Sequence, residues 1–179
     1  MGIGEILPSV HRHNGWKGQY FRMIRWYKKF EGTNPGNFED LDIYHMHDVM
    51  FVCFQNIYIF KDWLHHAALI PIKKLNKFIN ENLELQICRD IANGTKHFNL
   101  NSASVDNDFT IIREYNPFHE ILEEQSNKII ILIGGHKFEL KELALRCIDL
   151  WKKFLIVEKL IPYNPGSDGV SFNSDTTKK

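Results

Sequence analysis

Between Phe38 and about Ala68 the chain runs on as FEDLDIYHMHDVMFVCFQNIYIFKDWLHHA without a glycine or a proline. A breaker-free segment of roughly thirty residues is too long for a strand. It is therefore expected to be a helix, although its β-branched and aromatic residues leave local propensity undecided. Glu39, Asp40 and Asp42 crowd the first turns, where the helix dipole favours negative charge. Pro71 then opens PIKKLNKFINENLELQICRDIANGTKHF, in which Leu75, Phe78, Ile79, Leu83, Ile87 and Ile91 keep an apolar stripe. The spacing predicts a second long helix over 71–98. The short link at Ile70–Pro71 makes the two helices antiparallel neighbours.

The flanking segments complete a mainly α reading. Residues 1–14 read as an irregular lead-in. Residues 15–31 place Trp16, Tyr20, Met23, Ile24 and Tyr27 at helical spacing, with Arg22, Arg25, Lys28 and Lys29 on the other face. GTNPGN ends that helix. NLNSASVDND (99–108) is a polar loop and FTIIREY (109–115) a strand. Asn116–Pro117 suits a helix start for FHEILEEQ. KIIILIGGHKFEL (128–140) is a hairpin turning at Gly134–Gly135. Residues 139–160 form a last amphipathic helix with Leu143, Cys147, Leu150, Trp151, Phe154 and Leu155 inward. The expected architecture is a four-helix-type bundle built on a long antiparallel helical hairpin. A small antiparallel sheet (109–140) is inserted before the last helix, residues 1–162 form one domain, and 163–179 form a disordered tail.

Charge and composition exclude several classes. Lys plus Arg and Asp plus Glu are 22 each, so a strongly basic coat for polyanions is ruled out as a whole-molecule property. The first residues lack a charged region leading into an apolar run, and apolar runs such as that within KIIILI are far too short to span a bilayer. The chain reads as cytoplasmic, without a membrane role. Cys53, Cys88 and Cys147 form no CxxC pair and read as small core residues. Phosphate-loop, dinucleotide and nucleophile-elbow motifs are missing. No cofactor is expected.

What remains is a polar constellation. Gln86, Asp90, Asn93 and His97 are spaced four, three and four, which stacks them on one helical face, with Arg89 and Lys96 beside them. In the preceding helix His45, Asp48, Gln55 and Asp62 share a face, interrupted by Val52 and Ile59. Counted outward from the link at a rise of about 1.5 Å per residue, Asp90 and Asn93 fall level with Asp48, and His97 with His45. The stripes fit a functional site, a buried network that pins helix register, or an ordinary solvated face. His45, His47, Asp48 and His97 are conceivable metal ligands, but the paired Glu-x-x-His of di-iron bundles is lacking, and no metal is expected.

A helical hairpin whose second helix ends in Asn93-Gly94-Thr95-Lys96-His97 resembles the HEPN superfamily over about residues 40–98. FKDWLHH together with DIANGTKHF also resembles a group of uncharacterised bacterial proteins with KDW and NGxKH signatures. HEPN proteins are helical bundles of prokaryotic toxin and antiviral systems that commonly dimerise. Many are metal-independent ribonucleases carrying Arg, four to six residues, then His. Here Ala92 stands at the arginine position, and Arg89 lies further from His97 than the pattern allows. The resemblance implies RNA as substrate, a homodimer, and a partner protein from a neighbouring gene. His97 would exchange protons with the ribose 2′-hydroxyl or the leaving 5′-oxygen. Arg89 or Lys96 would hold the phosphate, Asp90 or Asp48 would orient the imidazole, and Asn93 would position backbone groups. The rival reading is a non-catalytic module whose stripe binds a partner or fixes the fold.

Overall fold

The computed structural model describes residues 10–33, 40–94, 103–106, 109–115 and 127–162. Among them are five helices, α1 (Val10–Glu31), α2 (Asp40–His66), α3 (Ile72–Asn80), α4 (Leu83–Gly94) and α5 (Leu140–Val157). A three-stranded antiparallel sheet of order β1-β2-β3, β1 (Thr110–Tyr115), β2 (Asn127–Ile133) and β3 (His136–Glu139), precedes the last helix. The mainly helical class, the long hairpin and the small sheet therefore stand. The expected helix over FHEILEEQ and the tail 163–179 lie outside the described residues.

Two expectations are corrected. The helix expected over 71–98 is divided at Glu81–Asn82. Asn82 is the cause: its Nδ2 donates to the Phe78 carbonyl at 2.7 Å, its N–H bonds the Ile79 carbonyl, and its own carbonyl accepts from Gln86 as α4 begins. An asparagine side chain that competes for backbone hydrogen bonds offers the chain an exit from the helix. The lead-in is also shorter than expected, because α1 starts at Val10 and kinks at Gly15, whose φ of 46° and ψ of −134° suit glycine.

α2 ends by a backbone device. Ala68 takes a left-handed φ of 55°, Leu69 N–H bonds the Leu64 carbonyl and Ala68 N–H the His65 carbonyl. This pair of bonds satisfies carbonyls that the helix end leaves over. It also reverses the chain, so that α4 runs back along α2 and the Cys88 thiol reaches the Phe54 carbonyl at 3.6 Å.

The core starts with α1 against α2. Tyr20, Met23, Ile24, Tyr27 and Phe30 are buried on α1, and Met50, Phe54, Ile57, Phe60 and Leu64 on α2. Phe30 meets Phe54 edge-on at 6.4 Å, and Tyr20 lies 5.8 Å from Phe60. One buried polar pair crosses this interface: Gln19 Nε2 donates to Asn56 Oδ1 at 3.1 Å and to the Asn56 carbonyl at 3.2 Å. A slip along either helix would strand these groups, at about 1–3 kcal/mol for each unsatisfied one. In the sheet, Thr110 faces Leu132 and Tyr115 faces Asn127 across β1–β2. Gly134 and Gly135 turn the β2–β3 hairpin with φ of 52° and 77°.

Two compact units divide the chain at Ile148–Asp149. In the second, Trp151 is buried and packs edge-on with Phe154 at 5.8 Å. Its helix closes on a left-handed Lys159, with Leu160 N–H bonded to the Leu155 carbonyl.

Cys53, Cys88 and Cys147 are free and buried, as expected of core cysteines. The fold gathers them: Cys147 lies close to Cys88 and Cys53, and its thiol donates to the Glu84 carbonyl at 3.3 Å. Burial pushes the Cys53 and Cys147 thiols above the usual range. An unfolded thiol ionises near pH 8.5, whereas the folded ones stay protonated beyond it. Their contribution is thus fully present below about pH 8.5 and is lost as the pH rises. Urea unfolding under reductant should show stability falling between pH 8.5 and 9.5 by about 1 kcal/mol per thiol. A Cys53→Ala/Cys147→Ala protein should lose most of that slope; an equal slope in both proteins would contradict the assignment.

Candidate functional site

The polar residues of α4 turn inward to a neighbouring segment. Asp90 is only 1% exposed. Its Oδ1 accepts the Ser104 N–H at 2.7 Å and its Oδ2 the Val105 N–H at 2.9 Å. Arg89 donates through Nε to Ser104 Oγ and through Nη1 to Asn80 Oδ1. Residues 103–106 are irregular, so their N–H groups need partners outside the ladder of any helix or sheet. Asp90 supplies two charged acceptors at once.

The same segment reaches the hairpin. Gly134 N–H donates to Asp106 Oδ2 at 3.2 Å, and a β carbon on Gly134 would lie 2.8 Å from Val105 Cγ1. Arg89 and Asp90 therefore join α4 to the β2–β3 turn through Val105. Gln86 is also used locally, donating to the Asn80 carbonyl at 3.0 Å. Asn93 is half-buried at the end of α4. Lys96 and His97 lie outside the described residues.

Asp48 has a different setting. It is exposed and lines a cleft of about 700 Å³ with His45, Met46, Val49 and Val52 of α2 and with Trp26, Lys28 and Lys29 of α1. No described α4 residue lines this cleft. Asp48 and Asp90 thus lie on different sides of the helical layer: one opens beside α1 and the other faces residues 103–106.

The cleft brings together an imidazole, a carboxylate, two ammonium groups and an indole. His45 and Asp48, three residues apart, share a face of α2. Lys29 Nζ sits 4.5 Å from the Trp26 ring centroid, a cation–π contact that orients both. The rim is fixed from a distance: Lys141 Nζ donates to the carbonyls of Glu31 at 2.8 Å and Thr33 at 2.6 Å, capping the end of α1 where the dipole is negative. Burial lowers the pKa of that ammonium, against the pull of Glu139 and Glu31. Burial and the Glu31 carboxylate raise the Tyr27 phenol, whose O–H donates to Glu31.

Other sequence candidates are now placed. On α2, Asn56 is buried and Gln55 is half-buried. Asp62 pairs with Lys61 at 3.7 Å. Trp63 is half-buried, with the Arg22 guanidinium 5.8 Å from its ring centroid. His65 and His66 are exposed in the last turn of α2. Lys28 and Lys29 were legible only as part of a basic face of α1, with no signal that they would meet His45, and nothing in the spacing singled out Trp26. Among the described residues, no three His, Cys, Asp or Glu side chains are placed to hold a metal ion, and no helix is long and apolar enough to cross a membrane. The chain matches no protein-family model, no curated protein and no solved structure.

Because Asp90 satisfies two backbone donors from a buried position, Asp90→Ala should lower the unfolding free energy by about 3 kcal/mol in urea titrations. A loss below about 0.5 kcal/mol would contradict the joint.

Proposed function

We propose that the protein is a metal-independent ribonuclease whose scissile phosphate is held in the α1–α2 cleft. The observation that carries this reading is the meeting of His45 and Asp48 with Lys28, Lys29 and Trp26 around one cavity. Imidazole is the side chain that exchanges protons near neutral pH. In the reaction, His45 removes the proton of a ribose 2′-hydroxyl and that oxygen attacks the adjacent phosphorus. The P–O5′ bond breaks as the new bond forms, and the 5′-oxygen leaves with a proton from the imidazolium of His45, by way of water, leaving a 2′,3′-cyclic phosphate. Lys28 and Lys29 offset the charge that develops on the phosphate oxygens, and Asp48 orients the imidazole. Trp26 provides an aromatic surface for a base.

The Asn93–His97 element and Lys96 enter as a second group of acid–base and phosphate-holding residues, on the strength of the HEPN resemblance. That resemblance also carries a homodimer, a partner from a neighbouring gene and a place in cytoplasmic toxin or antiviral defence. For Arg89 and Asp90 one observation favours the non-catalytic alternative: both are engaged by residues 103–106 and serve to fix the fold.

Cleavage of a labelled RNA in EDTA tests the reading, with cyclic-phosphate ends as the readout. The wild type should cleave, and His45→Ala should lose at least about a hundredfold in rate with an unchanged melting temperature. A wild type without activity, or a fully active His45→Ala protein, overturns the assignment. If His97→Ala alone abolishes cleavage, the chemistry belongs to the Asn93–His97 element rather than to the cleft.

A further inference from the structure

We propose that the exposed face of α1 is a track for single-stranded RNA leading into the α1–α2 cleft; this rests on the ribonuclease reading and names how its substrate is held. Lys17, Phe21, Arg25 and the pair Lys28–Lys29 follow one another at intervals of about four residues, which places them along one side of the helix. All five are exposed, Phe21 by 47%. From Lys17 to Lys29 the stripe extends about 18 Å, and its far end is the cleft wall. Glu31 is the sole acidic residue of α1, and it accepts the Tyr27 hydroxyl. Among the described residues, none of Lys17, Arg25, Lys28 and Lys29 has an acidic partner within salt-bridge distance.

Charge complementarity defines the occupant. The molecule as a whole has zero net charge, so four unmatched cations along one helix form a local field for a polyanion. Aromatic rings are interleaved with them: Phe21 on the stripe, and the half-buried Trp16 and Trp26 beside it, with Lys17 and Lys29 over their rings. Cations that follow a phosphate backbone, with rings on which bases stack, recognise single strands, because a duplex keeps its bases stacked on one another. A membrane surface would need a broad apolar face to insert, and this stripe offers one exposed phenylalanine.

The test is fluorescence anisotropy with a fluorescein-labelled twelve-nucleotide 2′-O-methyl RNA, which binds but cannot be cleaved, over about 50 to 300 mM KCl. Wild-type affinity should fall with salt, and Lys17→Ala/Arg25→Ala should reduce the slope of log K against log salt by about 1.4, at 0.7 per lost phosphate contact. Phe21→Ala should weaken binding without changing the slope. Failure of the wild type to bind, an unchanged slope in the double variant, equal affinity for the duplex, or binding only to phosphatidylserine vesicles each overturns the track. Cleavage of a dinucleotide, which reaches only the cleft, separates the two ideas. If the strand binds with the expected change of slope but no RNA is cut, the track stands and the ribonuclease reading falls. If the dinucleotide is cut while the slope is unchanged, the track alone falls.

Discussion

A carboxylate removed from water needs charged or dipolar partners, or it costs several kcal/mol. Asp90 has them in the N–H groups of Ser104 and Val105. That interaction orders an irregular segment that has no ladder of its own. The ordered segment carries Val105 to Gly134, where the left-handed glycine leaves room for the valine methyl, and Asp106 to the N–H of the same glycine. The helical layer and the hairpin thus share one small polar joint. Arg89 strengthens it by holding Ser104 from the side and Asn80 at the α3–α4 break.

The opposite side of α2 is organised by other means. Gln19 and Asn56 set the register of α1 against α2, and Lys141 fixes the end of α1 by binding its last carbonyls. With those positions set, Trp26, Lys28 and Lys29 face His45 and Asp48 across a cleft rather than pack against them. The polar residues of the hairpin therefore have two uses. Those of α4 are spent on internal hydrogen bonding, and those at the start of α2 line an open cleft.

Much of this was legible in residue spacing. Thirty residues without a breaker gave α2, the double glycine gave the hairpin turn, and the short link at Pro71 gave the return of the chain that sets Cys88 against Phe54. Azimuth was not legible. Spacing gives a height along the helix, yet which surroundings each carboxylate meets depends on tertiary partners: Asp48 lines a cleft with residues of α1, and Asp90 binds residues 103–106. The break at Asn82 was hidden because the apolar stripe continues through it. Lys141 and Val105 were hidden because each acts on an element remote in sequence, Lys141 at a distance of 110 residues from Glu31.

The most direct measurement of the account is amide hydrogen exchange at Ser104 and Val105. Irregular segments ordinarily exchange fast, since their amides are solvated. If Asp90 holds this segment as the joint between the helices and the hairpin, both amides should be protected nearly as well as the core amides of α4, and Asp90→Asn should release them while α1 and α2 stay protected. Exchange of the two amides at the unprotected rate in the wild type would contradict the joint and return Asp90 to the set of residues free for chemistry.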